Sequence, residues 1–384
     1  MVDSSHLAVA RSRPSLPRQR PGGSGILPVQ TLRGAIREGW IQCDHPIDQN
    51  QVQPASIDLR LGEVAYRVRA SFLAGPKTKV KARLDELSMH TLDLTGGAVL
   101  EKDCVYIVPL IERLALPGLI SAMANAKSST GRLDVFARLI TDNGQAFDQV
   151  PAGYTGPLYA EIAPRSFSIL ARTGSRLNQL RLRRGTATVS DAEVRALHQQ
   201  VGLVHGGSAS AGVDRGVTFT VDVEGKAFGG LIGYRARKHA PVVDIDSVGA
   251  YAIEEFWAPV HGRQGGIILT PDDFYILASR EHVTVPADHA AEMLAYDVQA
   301  GEFRVHYAGF FDPGFGDPDC GGTPTRAVLE VRSHEVPFLI DADQIVGRLV
   351  YEKLTEPPRE TYGSKIGSHY QGQGLALGKQ FITG

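Results

Sequence analysis

Two hydroxyl groups and a guanidinium occur within one turn of chain, at Ser128, Ser129 and Arg132. Gly131, which lies between them, permits close approach of the backbone to a ligand. Serine hydroxyls and an arginine fork can together hold a water, an oxyanion or a phosphate. Taken alone, such a turn is more typical of serines that cap a helix beside a solvated arginine.

Two glutamates are candidates for acid–base chemistry because both follow apolar residues on predicted strands. Glu330 lies between Leu329 and Val331, and Glu161 lies in a similar run. A carboxylate that is buried there without a partner would be costly. Each glutamate therefore either forms a structural ion pair or has its pKa raised for catalysis, and the residues alone leave both alternatives open.

The segment 356–384 is rich in glycine and poor in core-sized apolar residues. It carries aromatic, amide and cationic side chains at Tyr362, Lys365, His369, Tyr370 and Gln373. The segment is either a disordered terminus or a lid that orders over a ligand. As a lid, its deletion from Glu360 onward should leave the melting temperature nearly unchanged and remove most turnover.

Patterns that bind catalytic zinc are absent from the sequence: neither H-x-E with P-C-x-x-C nor H-E-x-x-H occurs, and there is no Walker A loop. Cys43, Cys104 and Cys320 stand far apart, which argues against a disulfide framework or a thiolate zinc site and suits a reducing cytoplasm. If this protein activates water, we expect a carboxylate to do it without zinc.

The bulk composition excludes several classes of partner. A net charge of −2 supplies no global attraction for nucleic acid or an anionic membrane. No apolar stretch approaches the roughly 18 residues that span a bilayer. Residues 1–24 lack the apolar core of a secretory signal, and their Pro, Arg, Gly and Ser content predicts a disordered tail. We therefore expect a cytoplasmic protein.

The elements that must position these groups are mainly strands, because short apolar or alternating runs are punctuated by Gly and Pro along most of the chain. This pattern favours a sandwich or barrel with a few short helices. Helices are predicted from Pro28 to Gly39, over 78–90, and after Ser190-Asp-Ala-Glu193, which is a capping-box pattern.

The chain contains an internal duplication. Residues 96–126 align without gaps to 265–295 at an offset of 169, with ten of 31 positions identical, and the same offset carries Glu161 onto Glu330. The glycine- and serine-rich stretch 206–212 suggests a linker. We accordingly predict a first domain over 25–185, a helical linker over 186–212, a second domain over 213–355, and the C-terminal tail 356–384.

Several motifs together resemble the dCTP deaminase family of dUTPase-like enzymes. The chain carries Gln53-Pro-Ala-Ser-Ile-Asp-Leu-Arg-Leu-Gly62, Ala126-Lys-Ser-Ser-Thr-Gly-Arg-Leu133, Tyr307-Ala-Gly-Phe-Phe-Asp-Pro-Gly-Phe315 and Ser368-His-Tyr-Gln-Gly-Gln-Gly374, in the order of that family. Each motif is weak alone, but their order is specific. The serine motif occurs only in the first half, and the hairpin and tail only in the second.

The resemblance implies two tandem dUTPase-like β-barrel (β-clip) domains and hydrolysis of dCTP to dUTP and ammonia. It implies Glu330 as the base, with water near Ala308, and Ser128 and Arg132 as its catalytic partners. It further implies contacts to the nucleotide from Lys127, Ser129, Asp312, Tyr362, His369, Tyr370 and Gln373, and Mg²⁺ held by the triphosphate.

The family forms its sites between neighbouring subunits, so we expect a homo-oligomer or a division of labour between the two halves. dUTP and dTTP are further candidate ligands. Two departures from the family pattern concern charge: Lys127 stands where the family has Arg, and His369 where it has Lys, so phosphate affinity should depend more on pH. The alternative functions are a dUTP diphosphatase or a bifunctional enzyme giving dUMP, in which Asp312 activates water, and a non-catalytic nucleotide-binding protein.

Overall fold

The protein is mainly β, as the sequence predicted. The computed structural model describes residues 23–206, 212–262, 266–295, 303–305, 309–333, 335–363 and 374–382. The α-helices of this part of the chain are α1 (Val29–Arg37), α2 (Val80–Leu87), α3 (Ser128–Gly131), α4 (Asp191–Val201) and α5 (Ile253–Phe256). None of them is long and apolar enough to cross a bilayer.

The predicted helices form for the local reasons that the sequence indicated. At the start of α4, the Ser190 hydroxyl accepts from the backbone N–H of Glu193, and the Glu193 carboxylate accepts from the backbone N–H of Ser190 at 3.0 Å. These reciprocal bonds satisfy donors that a helix start leaves unpaired. Helix α1 buries Leu32 and Ala35 on one face and ends before Gly39, whose φ is +76°.

The described strands fall into two series. Those of the first half are β1 (Gly25–Ile26), β2 (Ile41–Gln42), β3 (Ile57–Leu59), β4 (Val64–Val68), β5 (Ser88–Asp93), β6 (Ala98–Leu100), β7 (Val105–Ala115), β8 (Ile120–Ala126), β9 (Val135–Thr141), β10 (Gln149–Val150), β11 (Thr155–Pro164), β12 (Ile169–Ala171) and β13 (Asn178–Arg184). Those that follow are β14 (Val204–His205), β15 (Val217–Thr220), β16 (Leu231–Ala236), β17 (Val243–Asp244), β18 (Trp257–His261), β19 (Ile267–Leu269), β20 (Phe274–Val283), β21 (His289–Ala295), β22 (Phe303–Val305), β23 (Phe310–Phe311), β24 (Thr325–Ser333), β25 (Phe338–Ile340) and β26 (Ile345–Lys353).

The duplication read from the sequence reappears in the sheets. In the first half the strand orders are β5-β4-β7-β11-β9 and β1-β13-β8-β10, and their counterparts are β18-β16-β20-β24-β22 and β15-β26-β21-β23. The strand register also repeats. Glu161 of β11 pairs with Ile107, and the offset of 169 residues carries this pair onto Glu330 of β24 and Ile276. The two glutamates therefore occupy equivalent backbone positions.

The halves pack against each other through a shared core. β17 pairs with β12 in parallel, so a strand from the second half extends a sheet of the first. Phe256, Trp257 and Phe274 belong to the same apolar cluster as the core of the first half, where Phe167 lies against both Phe256 and Trp257. Groups from the two halves can therefore be held at a fixed separation.

The end of the chain corrects one expectation. Leu377 and Phe381 are buried in this core, and the Gln380 side chain donates to the carbonyl oxygen of Ile245 at 3.0 Å. The prediction that deletion from Glu360 onward leaves the melting temperature nearly unchanged is therefore wrong. Leu377 and Phe381 stand four residues apart in a glycine-rich segment with no longer apolar repeat, and only packing against the second half's aromatic residues reveals their role.

We expect Phe381→Ala to lower the free energy of unfolding by about 3–5 kcal/mol, the range for truncating a buried Phe. Its ring packs edge-on against Phe256 and Trp257, with centroids 5.4 and 5.9 Å away. Ile382→Ala is the matched control, because the neighbouring Ile382 is 51% exposed and should change stability by less than about 0.5 kcal/mol. Denaturant unfolding of both variants measures the difference, and equal losses would contradict the packing role.

Candidate active site

A cavity of about 650 Å³ lies between the two halves. It is lined by seven of the residues that the sequence singled out, which come from both halves of one chain: Lys127, Ser128, Ser129, Arg132, Asp312, Glu330 and Tyr362. The other proposed site residues, Ala308, His369, Tyr370 and Gln373, lie outside the described part of the chain.

The serine turn forms one wall of the cavity. It is the short helix α3, whose start is anchored to the residue before β13: the backbone N–H of Lys127 and the hydroxyl of Thr130 both donate to the carbonyl oxygen of Leu177, at 2.8 and 3.0 Å. This anchoring fixes Ser128 and Ser129 at the cavity wall. The turn is thus a rigid part of the first half's sheet and not a solvated loop.

Glu330 faces this turn from the second half. Its Oε1 lies 3.9 Å from Nε of Arg132, and both side chains are almost fully buried. Arg132 also donates through Nη1 to the carbonyl oxygens of Ala376 and Leu377, at 3.1 and 3.3 Å. Burial raises the pKa of Glu330 to about 8, and the charge of Arg132 lowers it in part. A carboxyl with a pKa near neutrality can both accept and return a proton.

This raised pKa predicts a pH-dependent cost in stability. Between the ordinary glutamate pKa and about 8, the folded protein holds a proton on Glu330 that the unfolded chain has released. Folding therefore loses stability as pH rises through this window, and the loss is complete above the folded pKa. We expect the free energy of unfolding of Glu330→Gln, relative to that of the wild type, to rise by on the order of 1–3 kcal/mol from pH 5 to pH 9. Denaturant unfolding at several pH values measures this difference. A difference that stays constant with pH would contradict the raised pKa.

Asp312 lies in the hairpin that follows β23 and lines the same cavity. Burial raises its pKa, and the nearby guanidinium of Arg181 opposes that shift. Arg181 comes from β13 of the first half and is fully buried. Its Nη2 donates to the carbonyl oxygen of Phe311 at 2.8 Å and lies 3.5 Å from Oδ1 of Asp312, while the guanidinium stacks 4.0 Å from the Phe310 ring centroid. The hairpin of the second half is thus held by an arginine of the first.

Aromatic rings form another part of the wall. Phe311 packs edge-on against Phe315 with centroids 5.0 Å apart, and Phe315 lies 5.5 Å from the ring of Tyr362. All three residues line the cavity. An aromatic wall of this kind suits a nucleobase or the carbon face of a sugar.

The structure adds cavity residues that the sequence reasoning did not select. Arg176 bonds the side chains of Asp48 and Asn50, at 2.5 and 2.8 Å. Lys379 also lines the cavity, and its pKa is lowered by burial and by the charge of Lys127. No local sequence pattern distinguishes Lys379 or Arg176 from the other cations of the chain.

Charged side chains of both signs line the cavity. Its described lining holds the cations Lys127, Arg132, Arg176 and Lys379 and the carboxyls Asp58, Asp246, Asp312 and Glu330, with Asp58 paired to Lys127. Its four cations could bind a polyanionic ligand, beside the desolvated carboxyls of Asp312 and Glu330.

Comparison with known proteins agrees with this chemistry. The family model for the N-terminal domain of 2'-deoxycytidine 5'-triphosphate deaminase matches residues 23–186, and the model for its C-terminal domain matches 190–381. The solved structure of 2'-deoxycytidine 5'-triphosphate deaminase from Agrobacterium tumefaciens is similar with a TM-score of 0.81 and 54% identity, covering 86% of this chain and 99% of that one.

Curated relatives match a smaller part of the chain. A "dCTP deaminase, dUMP-forming" of Halobacterium salinarum is 34% identical over 110 residues, which are 28% of this chain and 52% of that relative, so the chain spans about half of its length. Another of the same description, from Sulfurihydrogenibium, is 29% identical over 158 residues, covering 40% of this chain and 81% of the relative. With both domain models matched in order over most of its length, the chain belongs to the 2'-deoxycytidine 5'-triphosphate deaminase family.

Proposed function

We propose that this protein hydrolyses the 4-amino group of dCTP and releases dUTP and ammonia. The observation that carries the proposal is the position of Glu330, a buried carboxyl with a raised pKa that faces Arg132 and the serine turn across one cavity. Family membership supports dCTP as the substrate. The fold that we propose for each half is the dUTPase-like β-barrel.

In the proposed reaction, the ionised Glu330 takes a proton from water, and the hydroxide adds to C4 of cytosine. The carboxyl then returns that proton to N3 of the ring. The carboxylate then takes the proton of the new C4 hydroxyl and passes it to the amino nitrogen. The C4–N bond breaks, ammonia leaves, and the C4 carbonyl of uracil forms. Arg132 and the Ser128 hydroxyl would orient the water and stabilise the developing tetrahedral centre, as fixed donors do most effectively in a desolvated site.

The triphosphate would lie along the cationic wall. We propose that Lys127, Ser129, Arg176 and Lys379 bind its oxygens together with His369, Tyr370 and Gln373 of the tail. Mg²⁺ would arrive with the nucleotide, held by phosphate oxygens, as is usual for this ion. Tyr362, beside Phe315, would pack near the sugar and oppose a 2'-hydroxyl.

A second activity deserves a test at the same site. Asp312 is buried in the cavity beside Arg181, and the two relatives described above are named as dUMP-forming. A carboxylate in this place could activate water for attack on the triphosphate, which would carry dUTP on to dUMP and diphosphate. Asp312→Asn separates the activities, because it should retain ammonia release and lose dUMP.

The test of the proposed function is incubation of the purified protein with dCTP and, separately, with dUTP, followed by resolution of dUTP, dUMP and ammonia. Ammonia from dCTP is expected. Tight binding of dCTP without any product would favour the non-catalytic alternative, and product from dUTP alone would favour a diphosphatase. Size-exclusion chromatography with light scattering tests the proposed homo-oligomer.

Water activation by Glu330 further predicts that deamination needs no zinc. Turnover of dCTP should survive a strong zinc chelator once Mg²⁺ is restored in excess, because the carboxyl supplies the base that zinc supplies in other nucleobase deaminases. The measurement is ammonia release before and after chelation. A loss that only zinc repairs would overturn this mechanism.

A further inference from the structure

A buried ion pair joins the two halves beside the proposed catalytic groups. Arg332 of β24 donates to the carboxylate of Asp134, which follows the serine turn, and the two side chains are 8% and 1% exposed. Asp134 also accepts from the hydroxyl of Ser166 at 2.6 Å. Arg332 further donates to the backbone carbonyl of Asp272. The pair is therefore embedded in hydrogen bonds on both sides of the interface.

The place of this pair in the sequence relates it to the site. Arg132 precedes Asp134 by two residues, and Glu330 precedes Arg332 by two residues on the same strand. Side chains at i and i+2 of a strand lie on the same face, so Glu330 and Arg332 face the first half together. The direct contact of Arg332 with Asp134 thus lies next to the 3.9 Å approach of Arg132 to Glu330.

The backbone at Asp134 makes the link stiff. Its φ is +56°, in the left-handed region that aspartate adopts more readily than most residues, and its N–H donates to the carbonyl oxygen of Gly131 at 2.9 Å. Asp134 therefore closes the serine turn from within the first half. A change in its position would be passed directly to Arg132.

We propose that Asp134 and Arg332 are a positioning pair, which holds the serine turn of the first half at the distance from Glu330 that water activation requires. Neither residue lines the cavity, so the pair acts through Arg132 and Glu330 and does not contact the substrate. This inference rests on the proposed function of Glu330. An error of about 1 Å in such a separation can cost about 10²-fold in rate.

A purely structural interface pair would behave differently. Breaking it would lower stability, and the folded fraction would retain its turnover number. A positioning pair, in contrast, lowers kcat of the folded enzyme by a larger factor than it raises KM for dCTP, because Arg176 and Lys379, which we propose to bind the triphosphate, do not lie on the serine turn. Arg183 provides the matched control: it also crosses the interface, bonding Glu352 at 2.5 Å, and neither partner lines the cavity.

The experiment compares Asp134→Asn, Arg332→Lys, Arg332→Met and Arg183→Met with the wild type, well below the lowest melting temperature. Asparagine tolerates the same backbone conformation and has a similar size, but it removes the charge and replaces one acceptor oxygen by an amide donor. We expect Asp134→Asn and Arg332→Met to lose at least about tenfold in kcat, with a smaller factor of change in KM. Arg332→Lys should recover part of the loss, and Arg183→Met should lose stability only.

Two outcomes would overturn the positioning role. One is a folded Asp134→Asn variant that keeps the wild-type kcat. The other is a loss of kcat in Arg183→Met as large as that in Arg332→Met. If an Asp134 variant does not fold, Arg332→Lys against Arg332→Met still decides, because lysine keeps the charge without the planar fork. Absence of ammonia from dCTP with the wild type defeats the proposed function instead. The pair is then tested by stability alone. The free energy of unfolding of Glu330→Gln relative to the wild type is measured against pH, with and without Asp134→Asn. A shifted midpoint supports coupling of the pair to Glu330, and an unchanged midpoint contradicts it.

Discussion

Glu330→Gln should reduce dCTP turnover by at least about 10²-fold while dCTP still binds, and Glu161→Gln should leave turnover within about threefold. The two substitutions are chemically identical and affect equivalent registers of equivalent strands. Any difference between them must therefore come from what surrounds each carboxyl.

The surroundings of Glu161 identify a structural group. Its carboxylate accepts from Nε of Arg138 at 3.0 Å and from the hydroxyl of Ser71 at 2.5 Å. Val80 and Leu84 of helix α2 pack in one apolar cluster with Tyr159, so the helix covers the strand face that Tyr159 shares with Glu161. Glu161→Gln should lower the free energy of unfolding by about 1–3 kcal/mol, because it weakens a hydrogen-bonded ion pair.

Steady-state kinetics and calorimetric binding of dCTP to both variants measure these effects. Circular dichroism and thermal unfolding provide the control for folding. The assignment of the base is wrong if Glu161→Gln abolishes turnover with the fold intact while Glu330→Gln remains active. Equal losses in both would indicate that neither carboxyl is specific to the reaction.

Mixing Ser128→Ala protein with Glu330→Gln protein should restore no deamination. Both residues line one cavity within a single chain, so each variant lacks one of the two groups at its own site. If sites formed between neighbouring chains, random mixing would place intact partners together in about a quarter of the sites.

The mixture must be unfolded and refolded together, or co-expressed with two affinity tags, so that hybrid oligomers form. A tandem-purified hybrid that stays below about 1% of wild-type activity supports one site within each chain, because shared sites would leave about half of the sites intact in a hybrid dimer and about a third in a hybrid trimer. Recovery near either of these fractions would show that the halves of neighbouring chains complement each other. A wild-type hybrid purified with the same two tags controls for loss during refolding.

The sequence by itself determined the repeated backbone. The 169-residue offset predicted which strands correspond, and β6, β8 and β12 have counterparts at that offset to the residue. The helix cap at Ser190 could also be predicted from the sequence, because a capping box depends on two residues that are three positions apart. The turn at Ser128 and Arg132 could be chosen as a site by its chemistry and its resemblance to a family. Local hydrogen bonding and hydrophobic period carry such information.

The tertiary structure decided which equivalent carboxyl faces an open cavity and which is neutralised. Glu161 and Glu330 share a register, but Arg138 and Ser71 engage the first, whereas the second approaches Arg132 from the other half. The pairing of Asp134 with Arg332 likewise spans 198 positions. Sequence patterns describe neighbours along the chain. Burial, ion pairing and a shifted pKa depend instead on groups that only folding brings together.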